Sequence, residues 1–513
     1  MNAVKQRVLP LPCLFGQALA HRGDMSMDKL KEFEPIFYPK SVAVVGVSAN
    51  NEKAGNHFLR AMMEFGFKGK LYPVTPSTNE ILGLRAYPSI GDIPEPVDFV
   101  NISVPAKYVP HIIEDCVAKG VPAVEIFTAG FSEVGEEGRR LEQEIAMLAK
   151  GNLRIIGPNC FGVYCPSGGL TLLPGANYPR ESGNIAIIAQ SGGLVDQLIP
   201  AATGHGLRFS KIISYGNACD LNEVDLLEYL ASDPETRVIA AYLEGVKDGK
   251  RFFEIAKSLY GKKPLIIWKG GLTESGKVAV NSHTGSLGGE KAVWEAFFRQ
   301  TGAVMVDNAE EFLDTTAIFS HFPQVAGRRV GVVGGGGAVG VATSDICERV
   351  GLKIPTAPPK IQEQLRALLP PAGTSLRNPV DVGSPMPPPL VFQKVLEILF
   401  SGDIIDTLII DRIFFYGSLQ PMGIPEADAE KRVEVLLDIK RRTGKPILAI
   451  LDEPAPDTDI IDMEVNRRRV RRRLIQAGIF VLPSLNRAVK ALANICTYYE
   501  KASFSHEEDG NKA

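Results

Sequence analysis

The chain has 513 residues, of which 45% are hydrophobic and 22% are charged, and its formal net charge is −3. This composition is that of an ordinary globular protein, and the charge argues against a polyanionic partner such as nucleic acid. The length exceeds what a single core supports and predicts about three domains of roughly 150 residues each.

The cysteines and histidines predict neither a disulfide framework nor a metal site. The seven cysteines form no CxxC pair, and the seven histidines do not cluster near them. We therefore expect no metal and a reducing compartment, the cytoplasm. No apolar run reaches the roughly 20 residues needed to cross a bilayer, so we expect a soluble chain without a membrane partner.

Residues 1–27 are predicted to be a disordered extension. Lys5, Arg7 and a short apolar patch faintly resemble a secretory signal. Pro10 and Pro12 interrupt that patch, however, so export is the weaker interpretation.

A first domain is predicted at residues 28–160. It opens with the apolar run Ser41-Val-Ala-Val-Val-Gly46, and further strand candidates lie at 69–74, 97–104 and 123–127 with helical periodicity between them. Short apolar strands that alternate with helices indicate a parallel sheet covered on both faces. The predicted fold class is therefore α/β, beginning with a doubly wound domain.

Two more α/β domains are predicted to follow. A connector rich in proline and glycine leads to apolar strands between residues 185 and 268, which gives a second domain at 161–325. The same alternation resumes near residue 329 and gives a third domain at 326–500. The polar residues 501–513 are predicted to be a frayed tail.

The loop Gly46–Gly55 follows the first strand, at the sheet edge where parallel sheets bind ligands. Its backbone N–H groups and Lys53 can meet a phosphate at a helix N-terminus. The loop is not GxGxxG, and no ribose-binding acid follows the second strand. It predicts a phosphate-bearing ligand other than NAD, although an ordinary strand-to-helix turn explains the local pattern equally well.

A second candidate anion site is Ser191-Gly192-Gly193, between a buried strand and an amphipathic helix. Two glycines let the backbone approach an anion closely, and the serine can cap the helix. The partial positive charge at a helix N-terminus suits a phosphoryl group. An ordinary capped helix start is the more common meaning of such a pattern.

His283 lies in the polar stretch Asn281–Gly289, which we predict to be a loop. A neutral imidazole can attack phosphorus without a separate base, and it then needs a carboxylate to orient its other nitrogen. Glu244, at the carboxyl end of an apolar strand, is the candidate for that role. The alternatives are a solvated histidine and a surface acid.

Two further patterns carry weaker predictions. The run Gly334–Gly340 contains GxGxxG, where an NAD-dependent oxidoreductase would begin, but five glycines in seven positions make a chance match easy. The arginine-rich run Arg467–Arg473 is predicted to be a helix face, solvated or in contact with a partner, rather than a nucleic-acid patch.

Seven motifs together carry a family resemblance that none of them carries alone. They are, in chain order, Ser41-Val-Ala-Val-Val-Gly46, Ile102-Ser-Val-Pro105, Phe127-Thr-Ala-Gly-Phe131, Ile156-Gly-Pro-Asn-Cys160, Gln190-Ser-Gly-Gly193, Tyr242-Leu-Glu-Gly245 and Ser282-His-Thr-Gly-Ser-Leu287. Over about residues 30–495 the chain closely resembles the NDP-forming acyl-CoA synthetases, and among them the α subunits of ADP-forming acetate–CoA ligases, relatives of the succinyl-CoA synthetase α subunit. The resemblance implies a Rossmann-like CoA-binding domain followed by two flavodoxin-like succinyl-CoA-synthetase-type domains.

The resemblance also implies a reaction and its residues. The family interconverts acyl-CoA, phosphate and ADP with a carboxylic acid, CoA and ATP through an acyl phosphate and a phosphohistidine. Carried over by matching positions, His283 is phosphorylated, Glu244 orients it, and phosphate binds at Ser191, Gly192 and Gly193. The residues implied for coenzyme A are Gly46, Ser48 and Lys53 at its nucleotide end, Val104 and Pro105 beside the pantetheine arm, and Asn159 and Cys160 near the thioester and phosphate.

No ATP-grasp domain is recognisable in the sequence. The resemblance therefore implies a hetero-oligomer with a separate ATP-grasp β subunit, which would bind ADP or ATP with Mg²⁺. Two departures stand out: the histidine loop reads Leu287-Gly-Gly where the family usually has Leu-Ala-Gly, and the glycine run at 334–337 replaces a common Asn-Ala-Gly-Gly-Pro-Gly motif. A non-catalytic CoA-binding or sensing protein of the same fold is the main alternative.

Overall fold

The computed structural model describes residues 28–50, 52–171, 178–284, 289–322, 324–325, 327–383, 387–411, 426–451 and 461–510. Three sheets of five, six and five strands follow one another along these residues. The extension predicted at 1–27 lies outside the described residues.

The first sheet is entirely parallel, as predicted. Its strands are β1 (Ser41–Val45), β2 (Lys70–Val74), β5 (Phe99–Ile102), β6 (Ala123–Ile126) and β7 (Arg154–Ile156), and the short hairpin β3 (Glu80–Ile81) and β4 (Leu84–Arg85) lies apart. The helices are α1 (28–37), α2 (Ala54–Phe65), α3 (Val109–Lys119) and α4 (Glu136–Ala149). The strand order is β2-β1-β5-β6-β7.

Strand β1 shows why the sequence of this domain contains continuous apolar runs. Val42 and Val44 enter one hydrophobic core, whereas Ala43 and Val45 enter another. A strand in a parallel sheet is covered on both faces, so apolar residues fill both faces of β1.

The second sheet is parallel except at one edge. Its strands are β8 (Gly162–Tyr164), β9 (Ile185–Ala189), β10 (Phe209–Ser214), β11 (Val238–Leu243), β12 (Leu265–Lys269) and β13 (Val304–Val306), in the order β13-β12-β11-β9-β10-β8. Its helices are α5 (Gly192–Gly204), α6 (Glu223–Ser232), α7 (Gly249–Leu259), α8 (Glu274–Thr284), α9 (Lys291–Thr301) and α10 (Ala309–His321). The edge strand β8 pairs antiparallel with β10 and leads the chain out of the first domain.

The third sheet is parallel and has the order β15-β14-β16-β17-β18. Its strands are β14 (Val330–Gly334), β15 (Val380–Asp381), β16 (Thr407–Asp411), β17 (Ile447–Ile450) and β18 (Phe480–Leu482). Its helices are α11 (Gly337–Arg349), α12 (Pro359–Arg366), α13 (Pro389–Ser401), α14 (Glu426–Thr443), α15 (Ile461–Gln476) and α16 (Leu485–Gly510).

The final helix α16 joins the third domain to the second. It packs against α10, where Arg487 donates to the buried carboxylate of Asp314 at 2.6 Å and 2.8 Å. Further along α16, Glu500 accepts from Arg328. The domain boundary predicted at residue 500 falls inside this helix.

A buried lysine joins the N-terminal segment to the second domain. Lys211 on β10 is fully buried, and its Nζ lies 3.0 Å from Asp233 and 2.9 Å from Glu235. The same ammonium contacts the Tyr38 hydroxyl at 3.0 Å, and that hydroxyl donates to Glu235. Because the carboxylates neutralise the ammonium where water is excluded, each group depends on the others.

We expect Lys211→Met to lower the free energy of unfolding by about 3–5 kcal/mol, because it leaves Asp233 buried without its cation. Urea unfolding of the full chain, followed by circular dichroism, measures the loss. Lys70→Met is the matched control, since the pair that Lys70 forms with Glu95 is exposed and such pairs add little. Equal losses for the two variants would contradict this account of Lys211.

Candidate active site

The helix α5 begins with a serine cap followed by two glycines. Ser191 caps it by accepting the backbone N–H of Leu194 at 3.3 Å. A Cβ at Gly192 would lie 2.9 Å from the Phe161 ring, whereas a Cβ at Gly193 would meet nothing within 4 Å. The start of α5 therefore leaves room for an anion beside a partial positive charge.

Glu244 follows β11 and is 4% exposed. Its backbone N–H and that of Gly245 donate to the Gln190 side-chain oxygen, the second at 3.0 Å. On the other side, Lys269 at the end of β12 donates to the Glu244 carbonyl at 2.8 Å, and the Tyr242 hydroxyl donates to the Glu244 carboxylate at 3.2 Å. The Glu244 backbone is thus held by groups from two neighbouring strand ends, and its carboxylate accepts from Tyr242 on its own strand.

Lys269 is a buried ammonium beside this carboxylate. Burial lowers its pKa to about 8, although the charge of Glu244 raises it. Its Nζ lies over the Trp294 ring, 5.4 Å from the centroid. The side chain can therefore balance negative charge at the site without reaching solvent.

The backbone of His283 lies in the last turn of α8, so the loop predicted at this position is wrong for residues 281–284. The first turn of α8 is stabilised by two contacts. The Thr273 hydroxyl accepts the N–H of Gly276 at 3.1 Å, and Lys277 pairs with Glu274 at 3.0 Å. Such i,i+3 pairs support an exposed polar helix. The side chains of 281–284 and residues 285–288 lie outside the described residues.

One cavity of about 560 Å³ brings these elements together. It is lined by Ser191 and Gly193 at the start of α5, by Glu244, and by residues of α8 that include Gly276 and Val280. The helix that carries His283 therefore borders the same space as the candidate anion site and the candidate orienting carboxylate.

The loop after β1 is built on two glycines in contact. Gly46 has a φ of +98°, and a Cβ there would lie 2.4 Å from the Ser103 carbonyl oxygen. A Cβ at Gly55 would lie 2.7 Å from the Gly46 backbone. The fully buried Asn56 accepts from the Ser48 N–H at 2.8 Å and donates to the Ser48 carbonyl at 2.7 Å, while Lys53 is exposed. Asn56 therefore fixes Ser48, and the two glycines let backbone segments approach closely.

The residues after β5 and β7 also meet. Val104 and the exposed Pro105 follow β5, and the Thr128 hydroxyl donates to the Val104 carbonyl at 2.6 Å. Asn159, at a φ of +57°, donates its N–H to the Thr128 carbonyl at 2.9 Å. Cys160 is buried, its thiol lies 3.4 Å from the Ile126 carbonyl, and burial raises its pKa well above the usual value. A protonated buried thiol is a structural group rather than a nucleophile.

In the third domain, a side chain of the protein itself accepts a backbone N–H group of the glycine run. The Asp381 carboxylate at the end of β15 accepts the Gly336 N–H at 3.1 Å and the Gly383 N–H at 2.9 Å. A carboxylate in this position takes an N–H group that a pyrophosphate would need and repels its charge. The geometry disfavours a dinucleotide site there.

The arginine run lies on α15, as its periodicity predicted. Arg467 and Arg468 donate to Glu464 at 2.8 Å and 3.2 Å, and Arg473 pairs with Glu430. Within the part of the chain that the structure describes, no helix could span a membrane and no cluster of three or more His, Cys, Asp or Glu could hold a metal ion.

Three residues that hold the candidate site carried no role in the sequence analysis. They are Gln190, which fixes the Glu244 backbone; Lys269, which contacts its carbonyl; and Asn56, which fixes the loop after β1. Lys269 was detectable as a charge that ends a buried strand, because an unpaired charge is rare there. The partners of Gln190 and Asn56 depend on tertiary contacts and left no sequence signal.

The fold and the cavity define an α/β protein of the CoA-ligase class, and family models match it in three consecutive stretches. A CoA binding domain matches residues 40–166, a succinyl-CoA ligase like flavodoxin domain matches 182–319, and a Ligase-CoA domain matches 330–464. The predicted fold class, one Rossmann-like CoA-binding domain followed by two flavodoxin-like domains, is confirmed.

Individual relatives agree with these domains. Acetate–CoA ligase [ADP-forming] II subunit alpha of Pyrococcus furiosus is 38% identical over 81% of this chain and 89% of its own length. The acetate–CoA ligase [ADP-forming] of Methanocaldococcus jannaschii is 39% identical over 68% of this chain, which spans 49% of that longer protein. Dinucleotide forming acetyl-coenzyme A synthetase 1 of Ca. Korarchaeum cryptofilum, solved with phosphate and ADP, superposes with a TM-score of 0.80 at 31% identity and covers 93% of this chain and 98% of its own. The chain belongs to the ADP-forming acetate–CoA ligase family of NDP-forming acyl-CoA synthetases.

We expect Gln190→Leu to speed amide hydrogen exchange at Glu244 and Gly245, because both buried N–H groups lose their acceptor. The same loss should cost about 1–3 kcal/mol of stability. Exchange measured by NMR or mass spectrometry on the full chain tests this. Gln197→Leu, on the exposed face of α5, is the control and should leave the exchange unchanged. Unaltered protection in Gln190→Leu would show that other groups hold Glu244.

Proposed function

We propose that this chain is the α subunit of an ADP-forming acyl-CoA synthetase, an acid–thiol ligase that interconverts acyl-CoA, phosphate and ADP with a carboxylic acid, CoA and ATP. The observation that carries the proposal is the shared cavity. The helix bearing His283, the start of α5 and the buried Glu244 all line it. A nucleophile, an anion site and an orienting carboxylate are what this half of the reaction requires.

In the first step, phosphate binds at Ser191, Gly192 and Gly193. One of its oxygens attacks the thioester carbonyl carbon, the carbon–sulfur bond breaks, and the CoA thiolate leaves with an acyl phosphate remaining. The N–H groups at the start of α5 offset the charge on the phosphoryl oxygens. Cys160 does not act as the nucleophile, because burial raises the pKa of its thiol well above the usual value and keeps it protonated.

In the second step, a ring nitrogen of His283 attacks the phosphorus of the acyl phosphate. The phosphorus–oxygen bond to the acyl group breaks, and the carboxylate leaves. The imidazole gains positive charge as the new bond forms, and Glu244 stabilises that charge. The Gln190 side chain accepts from the Glu244 N–H and Lys269 donates to the Glu244 carbonyl, which fixes the backbone of this residue, while Tyr242 donates to its carboxylate.

The coenzyme A site belongs to the first domain. Gly46 and Ser48 offer backbone groups and Lys53 a cation to the nucleotide end, and the buried Asn56 holds Ser48 in place. Val104 and Pro105 would adjoin the pantetheine arm. Asn159 and Cys160 would lie near the thioester, since Thr128 joins their strand end to that of Val104.

The transfer to ADP requires a partner. We propose an ATP-grasp β subunit that binds ADP or ATP with Mg²⁺ and forms a hetero-oligomer with this chain; the Pyrococcus furiosus relative, named as a subunit alpha, supports this arrangement. The six cysteines among the described residues are free thiols, which suits a cytoplasmic location. A non-catalytic CoA-binding protein of the same fold is the alternative that the labelling experiment below excludes or supports.

We expect the isolated full chain to incorporate radiolabelled phosphate from acetyl phosphate as an acid-labile adduct on His283, and to make no ATP from ADP. Adding an ATP-grasp β subunit with ADP and Mg²⁺ should move the label into ATP. His283→Ala should abolish labelling and leave CoA binding intact, because the histidine lies outside the first domain. Labelling of the His283→Ala chain, or ATP made by the chain alone, would contradict the proposal.

We expect Glu244→Gln to slow labelling of His283 by about 10²-fold or more, because the amide keeps the shape but lacks the charge that stabilises the imidazolium. Single-turnover labelling gives the rate. Glu254→Gln, which changes an exposed carboxylate on α7, is the control. A Glu244→Gln chain that labels at the wild-type rate would assign the orienting role to another acid.

A further inference from the structure

A second buried carboxyl lies outside the machinery described above. Glu125 on β6 is 6% exposed and faces the core between the first and second domains. Its register partner on β5 is Asn101, which is also buried. Directly paired residues on neighbouring parallel strands point to the same face, so the two side chains meet.

Three hydrogen bonds run in one direction through this pair. The Ser103 hydroxyl donates to the Asn101 side-chain oxygen at 2.9 Å, and the Asn101 amide donates to Glu125 at 2.5 Å. The other Glu125 oxygen accepts the backbone N–H of Val163 on β8 at 3.2 Å. Every donor points toward the carboxyl, which is the arrangement that an ionised, acceptor-only carboxylate requires.

One end of this chain of bonds reaches the loop after β1. Ser103 is partly exposed, and a Cβ at Gly46 would lie 2.4 Å from its carbonyl oxygen. The other end reaches the second domain at Gly162, where a Cβ would lie 2.0 Å from the Glu125 carboxylate. The backbone of β8 therefore packs directly against this carboxylate.

We propose that Glu125, Asn101 and Ser103 form a proton-dependent relay that sets whether the Ser103 hydroxyl presents a donor or an acceptor to coenzyme A. The proposal rests on the proposed function only in taking coenzyme A as the ligand of the loop after β1.

The relay has two complete arrangements. With Glu125 ionised, Asn101 donates inward, the Ser103 hydrogen points inward, and the Ser103 lone pairs face the ligand. When the carboxyl takes a proton from solvent, it must donate to Asn101, so the Asn101 amide turns over and donates to Ser103. The Ser103 hydrogen then points outward as a donor, and no buried polar group loses its partner.

The charge balance around Glu125 lets both arrangements form near neutral pH. Burial raises the pKa of Glu125 to about 7, although the bonds from Asn101 and Val163 lower it. The titratable group that faces it is Cys160, whose pKa burial raises well above its usual value, so it remains a neutral thiol. Among the residues that the structure describes, these neighbours (Asn101, Val163 and Cys160) supply no positive charge that would keep the Glu125 carboxyl ionised.

The substitution Glu125→Gln holds the relay in its protonated arrangement. The oxygen of the introduced side-chain amide can accept from Val163, while its nitrogen donates to Asn101 as the protonated carboxyl does. The variant should therefore match the wild type at low pH and differ from it only where Glu125 of the wild type is ionised.

The test is calorimetric titration of the full chain with CoA from about pH 5.5 to about pH 8.5. The ratio of the two dissociation constants, Glu125→Gln against wild type, removes the titration of the ligand itself. We expect a ratio near one at the acidic end that changes at least about fivefold through neutrality. The same comparison is then made in a Ser103→Ala background, as the ratio of the dissociation constants with and without Glu125→Gln. This ratio should stay constant with pH, because the hydroxyl through which the relay acts on the ligand is gone.

Ser103→Ala alone gives an independent measurement that needs no change at Glu125. Its dissociation constant relative to wild type should also vary with pH around neutrality. A ratio that stays flat in either comparison, or a pH-dependent ratio that persists in the Ser103→Ala background, would overturn the relay while leaving the proposed function intact. A wild-type chain that binds no CoA would overturn both.

Discussion

The hydrogen bonds from Glu244 and Gly245 to the Gln190 side chain hold the candidate site together. Gln190 directly precedes the start of α5, the candidate anion site, and Glu244 directly follows the neighbouring strand β11. Because the bonds join these two strand ends, they fix the Glu244 backbone relative to the start of α5. Lys269 completes the frame from the third strand end.

Polar groups that the core excludes from water also connect the domains. Lys211 joins the segment around Tyr38 to the second domain, and Glu125 joins the first sheet to β8. A buried polar group is tolerated only with its partners in place, so such contacts fix domain orientation more narrowly than apolar packing does. In the proposed site, the candidate CoA loop and the candidate anion-binding helix belong to different domains, so their relative position depends on such contacts.

Much of the fold could be predicted from sequence because parallel strands covered on both faces leave continuous apolar runs, as in β1 and β9. The edge strand β8 could not, because three residues paired antiparallel carry no pattern of their own. The glycine run at Gly334–Gly337 suggested a dinucleotide site, and only the structure places Asp381 on it.

The candidate site could also be predicted only in part from the sequence. Ser191, Glu244 and His283 could be named as candidates from their positions after strands and from their family motifs. The role of Gln190 could not be predicted, because its side chain accepts from backbone groups of Glu244 and Gly245, 54 and 55 residues away in the chain. The helical turn at His283 was missed because its polar composition resembles that of a loop.

The most direct test of the central claim is a crystal structure of the full chain after treatment with acetyl phosphate. The account predicts a phosphoryl group on a ring nitrogen of His283, with its oxygens about 3 Å from the N–H groups of Gly192 and Gly193 and with the other ring nitrogen on the Glu244 carboxylate. A phosphoryl group on another residue, or a phosphohistidine directed away from the start of α5, would contradict it.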